Sequence, residues 1–273
     1  MQTGDIRWDA VDYGKHSKVQ YQWAQELIAG LHFRGCEAVL DIGCGEGKVT
    51  KEIADRLPNG YVIGIDRSED MITFARKRYS KQAFRNMIFR KMDVRELDFE
   101  SQFDVAFSNA ALHWIVDHRS LLYRVKNALK PNGRILFQMG AKGNAADIIS
   151  VLDDLMTSKR WKRYFLDFAF PYGFYEERDY EEWLSQTGLV ADSIRRIPRE
   201  MKHDGREGLA GWFRSTWQPY IDRVPAAMRR EFISEVIDNY LKMHPLDREG
   251  KSRLGMIRLQ VAAHKTPPEV QST

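Results

Sequence analysis

An apolar strand that breaks directly into three glycines constrains this chain more than any other feature. Ala38-Val39-Leu40-Asp41-Ile42 reads as a short buried strand, Gly43-Cys44-Gly45-Glu46-Gly47 as a tight loop, and Lys48 to Leu57 as a helix. Glycines let a backbone turn sharply and bring its N–H groups close to a ligand with no Cβ in the way. After the turn Pro58-Asn59-Gly60, a second apolar strand, Tyr61 to Ile65, closes on Asp66. Ser68 then suits the N-cap of a helix carrying Met71, Ile72 and Ala75. Further strands are expected at Met87 to Arg90, Phe103 to Ser108 and Arg134 to Met139. A helix from about Arg119 to Leu129 stops at the turn Lys130-Pro131-Asn132-Gly133. Short apolar strands alternating with helices argue for βαβ units and a parallel, doubly wound α/β sheet.

On either side of this region the pattern changes. A helix is expected from about Lys15, with Val19, Trp23, Leu27 and Leu31 on one face. Beyond Gly140 the chain turns helical and aromatic, with Phe168, Phe170, Trp212, Phe213, Trp217, Tyr220, Phe232 and Tyr240. Tyr180 to Thr187 reads as a helix stopped by Gly188, Val190 to Ile197 as a sixth strand and Arg258 to His264 as a last one. The expectation is a Rossmann-like, seven-stranded, mostly parallel sheet with a helical cap over its carboxyl edge, where open α/β sheets bind ligands. Residues 1–34 would be an N-terminal lid helix and 35–140 the cofactor-binding core. Residues 141–175 and 200–255 would be the substrate cap, 176–199 and 256–266 would complete the sheet, and 267–273 would be a disordered tail.

The 273 residues exceed one minimal domain, and 43% hydrophobic with 29% charged residues excludes global disorder. The net charge is 42 − 38 = +4 with no long basic block, so nothing demands a nucleic acid. Cys36 and Cys44 match no metal or disulfide spacing. Met1 to Asp12 carries charge and no apolar stretch, and no run is long enough to span a bilayer; a cytoplasmic protein is expected.

The loop spacing is G-x-G-x-G. The dinucleotide fingerprint would need a small residue where Lys48 stands. Asp66 suits the ribose hydroxyls of an adenosine ligand, and Asp41 adds a second carboxylate that disfavours pyrophosphate and suits a cation.

These residues resemble the first motif of class I S-adenosylmethionine-dependent methyltransferases. Ile65-Asp66, the Arg67-Ser68-Glu69-Asp70-Met71 continuation, Met92-Asp93-Val94, Phe103 to Asn109 and Leu129 to Leu136 follow in the family's order, over residues 36–140. The resemblance implies an S-adenosylmethionine cofactor with S-adenosylhomocysteine as product. Gly43, Gly45 and Gly47 would pass its methionine part, and Asp66, followed by Arg67 and Met71, would take the ribose. Asp93 and Val94 would meet adenine, and Asn109 the methionine end. Asp41 either orders the loop, pairs with the cofactor's ammonium, or is a solvated strand-end acid.

Asn109 to Trp114 with Asp117-His118, and Trp8 through Tyr13, resemble trans-aconitate methyltransferases. Leu112-His113-Trp114, Tyr13 and Gln20 also resemble juvenile hormone acid methyltransferases. Both groups methylate carboxylates, which implies that Gln20 and Trp114 orient an acceptor carboxylate through side-chain N–H groups. Such an acceptor is ionised at neutral pH and needs no general base for an in-line displacement. A hydroxyl acceptor would require one, and His16 and His113 are the candidates. Trp8, Tyr13, His16 and Arg214 are further candidate acceptor contacts; Trp114 is otherwise core, and Gln20 and Arg214 are otherwise surface. The implied partner is a small-molecule acid, for a monomer or weak dimer. Small-molecule N- or C-methylation is the alternative. RNA methylation is disfavoured because the stretch after Ser108-Asn109 has no proline, and a non-catalytic subunit by the intact loop and Asp66.

Overall fold

The computed structural model describes residues 18–267, with side chains from Tyr21 onward. Seven strands form one sheet in the order β3-β2-β1-β4-β5-β7-β6. They are β1 (Ala38–Ile42), β2 (Tyr61–Asp66), β3 (Met87–Lys91), β4 (Phe103–Asn109), β5 (Leu129–Gly140), β6 (Leu189–Asp204) and β7 (Lys251–Lys265). β1 to β5 pair in parallel, whereas β7 runs antiparallel to β5. The strand order reverses between β1 and β4, so the switch point lies where the glycine loop leaves β1.

Three helices, α1 (Lys18–Ala29), α2 (Lys48–Ala54) and α3 (Glu69–Arg78), cover one sheet face. Leu27, Ile28, Leu31, Ile53, Leu57, Ile72 and Ala75 pack there on Val39, Val62, Phe107 and Leu136. Ser68 caps α3, its Oγ accepting from the N–H of Met71 at 3.3 Å. The next helices, α4 (His118–Ala128) and α6 (Glu177–Thr187), pack together. Asp117 caps α4, and Gly188, at φ +72°, ends α6 in the left-handed region. In chain order α5 (Ala146–Thr157) comes before α6, and α7 (Gly205–Thr216), α8 (Gln218–Ile221) and α9 (Arg229–Met243) follow β6.

The described residues divide into two compact units. One takes in Gly143–Pro171 and Pro198–Ile257; the other reaches to Lys142 and adds Tyr172–Ile197 and the chain from Arg258. The first unit holds the aromatic surplus as its own core. Trp161, Phe165, Tyr220 and Phe232 are buried against one another, and the Trp161 indole donates to Glu235 at 2.8 Å.

Three expectations need correction. Residues 130–133 do not end an element before β5: the strand begins at Leu129, and the four residues loop out between the pairs Phe103↔Leu129 and Val105↔Arg134. The sixth strand continues past Ile197 to Asp204, and the last begins at Lys251 instead of Arg258, so 200–255 is not helical throughout. These extensions alternate: Met201 is buried between exposed Glu200 and Lys202, and Ser252, Leu254 and Met256 are buried with exposed Arg253 and Gly255 between them. Arg253 Nη1 reaches Glu200 at 2.9 Å, and Lys251 bonds Asp204, tying the extended arms together. The tail beyond residue 267 lies outside the described residues.

The entry to β1 depends on Glu37, whose buried carboxylate accepts from the N–H groups of Arg34, Gly35 and Cys36 at 2.8, 2.9 and 3.1 Å. Burial opposes ionisation, but these hydrogen bonds win and hold its pKa below the usual carboxylate value. A depressed folded-state pKa contributes stability that is present above the unfolded value and lost as pH falls through the folded one. Glu37→Gln should therefore cost about 1–3 kcal/mol in urea unfolding at pH 7. The difference should shrink as pH drops below the ordinary carboxylate range; a pH-independent difference would refute this account.

Candidate active site

The glycine loop is shaped by β2. The Ile65 carbonyl accepts from the N–H groups of both Gly43, at 2.8 Å, and Cys44, at 3.0 Å. Gly43 sits at φ +73°, and a Cβ there would lie 2.2 Å from the Cβ of Ala111. Gly45, at φ +53°, faces open space, with nothing within 4 Å of a Cβ position. Asp66, at the end of β2, ties both sides of the crevice: one carboxylate oxygen accepts from Gly45 N at 3.0 Å, the other from Ser68 N at 2.9 Å. Its burial raises its pKa above the usual value. Asp41 is buried behind the same loop and accepts from Thr50 Oγ1 at 2.6 Å. Burial pushes its pKa up to about 7, partly offset by Thr50. The solvated-acid alternative for Asp41 is thereby excluded.

The cofactor candidates gather at the carboxyl ends of β1 to β4. Arg67 follows Asp66, and its Nη2 is buried without a hydrogen-bond partner among the described residues. Asp93 caps the short 3-10 turn Val94–Glu96 and pairs with Arg95 at 2.6 Å. Burial opposes its ionisation, but the Arg95 hydrogen bonds hold its pKa down. Met71 is buried in α3, and Asn109 ends β4. Ala110, at φ +56°, then turns the chain into the 3-10 turn Leu112–Trp114.

That turn builds an aromatic wall. Trp114 meets Tyr172 edge-on at 5.0 Å, Tyr172 stacks on Phe174 at 5.2 Å, and the His113 ring lies 5.9 Å from Phe174. The Gly173 N–H donates to the His113 carbonyl at 2.9 Å. His113 is buried, and desolvation, then the charges of Arg258 and His118, lower its pKa well below the usual value. His118 is buried too: Nε2 lies 2.9 Å from the Leu112 carbonyl and Nδ1 2.7 Å from the Tyr180 hydroxyl. A carbonyl only accepts, so Nε2 carries the proton, Nδ1 accepts from Tyr180, and the ring is neutral. Burial lowers its pKa to about 4.

Trp8, Tyr13 and His16 lie outside the described residues, as does the side chain of Gln20. Arg214 is exposed on α7, in the unit with the aromatic core. Sequence reasoning assigned no role to His118, Tyr180 or Arg258. The pairing of His118 with Tyr180 spans 62 positions and leaves no local signal. Both cysteines are free, and no cluster of His, Cys, Asp or Glu among the described residues could hold a metal ion. No described helix is long and apolar enough to cross a membrane.

A family model for a methyltransferase domain matches residues 35–187. A trans-aconitate 2-methyltransferase of Methylobacterium nodulans is 28% identical over 95% of this chain and 98% of its own. An uncharacterized methyltransferase of Schizosaccharomyces pombe is 29% identical over 94% and 98%. Among solved structures, Haemonchus contortus phosphoethanolamine N-methyltransferase 2 in complex with S-adenosyl-L-methionine superposes with a TM-score of 0.59 at 19% identity. It covers 94% of this chain and 56% of that one, and it shows the fold alone.

Two outcomes test this geometry. Gly43→Ala should cost more than about 2 kcal/mol, from overpacking and the left-handed backbone together; Ala111→Gly in the same chain should recover the steric part but not the whole. Because His118 is charged in the unfolded chain below its ordinary value of 6.5 but stays neutral when folded, stability should fall as pH drops from 6.5 toward 4. His118→Gln should flatten that slope in urea titrations at several pH values, and an unchanged slope would refute the assignment.

Proposed function

The chain belongs to the methyltransferase-domain family, and on that premise we propose that it methylates a carboxylate of a small organic acid. It is an S-adenosylmethionine-dependent methyltransferase, and the loop fits that cofactor. The open space beside Gly45 leaves a bare backbone edge for a ligand. Each Asp66 oxygen accepts one backbone N–H and keeps a lone pair for a ribose hydroxyl, and Arg67, the next residue, has a buried Nη2 with no hydrogen-bond partner among the described residues. Asp93 and Val94 would meet adenine. When bound, S-adenosylmethionine supplies an electrophilic methyl on a sulfonium centre and leaves as S-adenosylhomocysteine.

One observation carries the acceptor class: neither described histidine at the wall is a strong base. Burial, then the charge of Arg258, keeps the pKa of His113 well below its usual value, and both ring nitrogens of His118 already have hydrogen-bond partners in Leu112 and Tyr180. An alcohol or an ammonium would reach such a site still protonated and would need a base. A carboxylate arrives with its lone pair free. The chain's task is then to orient the acid and exclude water, for which Trp114, a donor with no acceptor atom, is suited. The similarity to trans-aconitate 2-methyltransferases, whose name specifies an organic acid, supports the same reading.

With cofactor and acceptor saturating, kcat should stay flat between about pH 8 and 9, above the value of about 7 to which burial pushes Asp41 behind the glycine loop, because a carboxylate acceptor has no proton to lose. The new methyl should be released by mild alkali, as an ester; an alkali-stable methyl would overturn the carboxylate reading. Asp66→Ala should weaken S-adenosylmethionine binding by about a hundredfold in calorimetry, from the loss of two charge-assisted hydrogen bonds. Unchanged affinity would remove Asp66 from the cofactor site.

A further inference from the structure

The turn Leu112–Trp114 makes few bonds of its own. The Trp114 N–H donates to the Ala111 carbonyl at 3.1 Å and the Ile115 N–H to the Leu112 carbonyl at 2.9 Å, and Ala110 leads into it at φ +56°. A 3-10 turn this short has poor hydrogen-bond geometry and does little to hold itself. Its carbonyls are held from other elements. Leu112 O accepts from His118 Nε2 at 2.9 Å, and His113 O accepts from the Gly173 N–H at 2.9 Å. Val116 O, just beyond the turn, accepts from the Tyr175 hydroxyl. The chain passes so close there that a Cβ on Gly173 would lie 2.2 Å from Ile115 O and 3.1 Å from His118 Nε2.

Of these contacts, the one from His118 depends on where a proton sits. A neutral imidazole has two tautomers, and only one of them donates from Nε2. Tyr180, on α6, favours that one. It is fully buried, with its hydroxyl 2.7 Å from His118 Nδ1 and 3.2 Å from the Met139 sulfur. A thioether is a weak acceptor, so the single hydroxyl hydrogen goes to Nδ1. With Nδ1 accepting, the ring proton stands on Nε2 and faces Leu112 O. The other tautomer would set a lone pair against that carbonyl, which is costly where no water can intervene. Leu112 and Trp114 share one turn, so a fixed Leu112 carbonyl also fixes the Trp114 ring, which meets Tyr172 edge-on at 5.0 Å.

We propose that Tyr180, acting through His118, is a positioning residue for the acceptor side: its hydroxyl fixes the imidazole tautomer that holds the turn Leu112–Trp114 in one conformation. This rests on the reading that Trp114 meets the acceptor. The holding of the turn is measurable with no acceptor present.

The experiment compares wild type with Tyr180→Phe, which removes the hydroxyl and keeps the ring. Nitrogen NMR of the wild-type His118 ring should show the proton on Nε2 at neutral pH. In Tyr180→Phe, amide hydrogen exchange at Trp114 and Ile115 should quicken about tenfold or more, while the amides of Gly43 and Cys44 in the glycine loop, and the affinity for S-adenosylhomocysteine, stay near wild type. His118→Gln, whose amide Nε2 can donate to Leu112 with no tautomer to fix, should restore much of the protection, and Tyr180→Phe should add little to it. With trans-aconitate and hexanoate as probe acids, Tyr180→Phe should lower kcat/KM about tenfold or more for whichever is methylated. A wild-type ring protonated on Nδ1, unchanged exchange at the turn, or exchange that rises equally at Gly43 and Cys44 would overturn the proposal. So would faster exchange at the turn with kcat/KM unchanged. A wild type that methylates neither acid would count against the carboxylate reading alone, and the tautomer and exchange outcomes would still decide what Tyr180 does.

Discussion

The carboxyl edge of this sheet hangs on one carbonyl. Ile65 O accepts from both Gly43 and Cys44 and so folds the loop back onto the end of β2. Asp66, the next residue, then reaches Gly45 on one side and Ser68 on the other. The loop, the second strand and the start of α3 are thereby one unit, not three neighbouring pieces. Gly43 is required twice over, by its positive φ and because a Cβ there would lie 2.2 Å from the Cβ of Ala111, just before the turn carrying His113 and Trp114. The glycine loop and that turn are therefore closely packed, and a change in one is felt in the other.

The two described histidines at the aromatic wall are held away from charge. His113 and His118 are both buried among aromatic rings, a setting in which a charged imidazole is penalised. Their hydrogen bonds serve structure: His118 pins the Leu112 carbonyl and is itself pinned by Tyr180. The rigidity this gives Trp114 suits a reaction whose main requirement is alignment.

Polar residues on the face under α1 tell a different story from the rest of that layer. In register with Asn109, Gln138 is buried with its Oε1 unbonded among the described residues, while its Nε2 donates to the half-buried Gln260.

Much of the fold was legible in the chain itself. The strands around the loop are continuous apolar runs because a parallel sheet buries both faces, and Ser68, Asp66 and the three glycines are local signals with local causes. The outer arms of β6 and β7 were not, because Glu200, Lys202 and Arg253 disguise a period-two pattern that only cross-strand pairing makes favourable. By itself the sequence determined the cofactor half: a strand, a loop and an acid within thirty residues, whose geometry follows from local sterics and short hydrogen bonds. Only the tertiary structure decided the setting of the stretch after β4. Whether a histidine is exposed or a buried strut depends on a tyrosine 62 residues away, which is not a property of neighbouring residues.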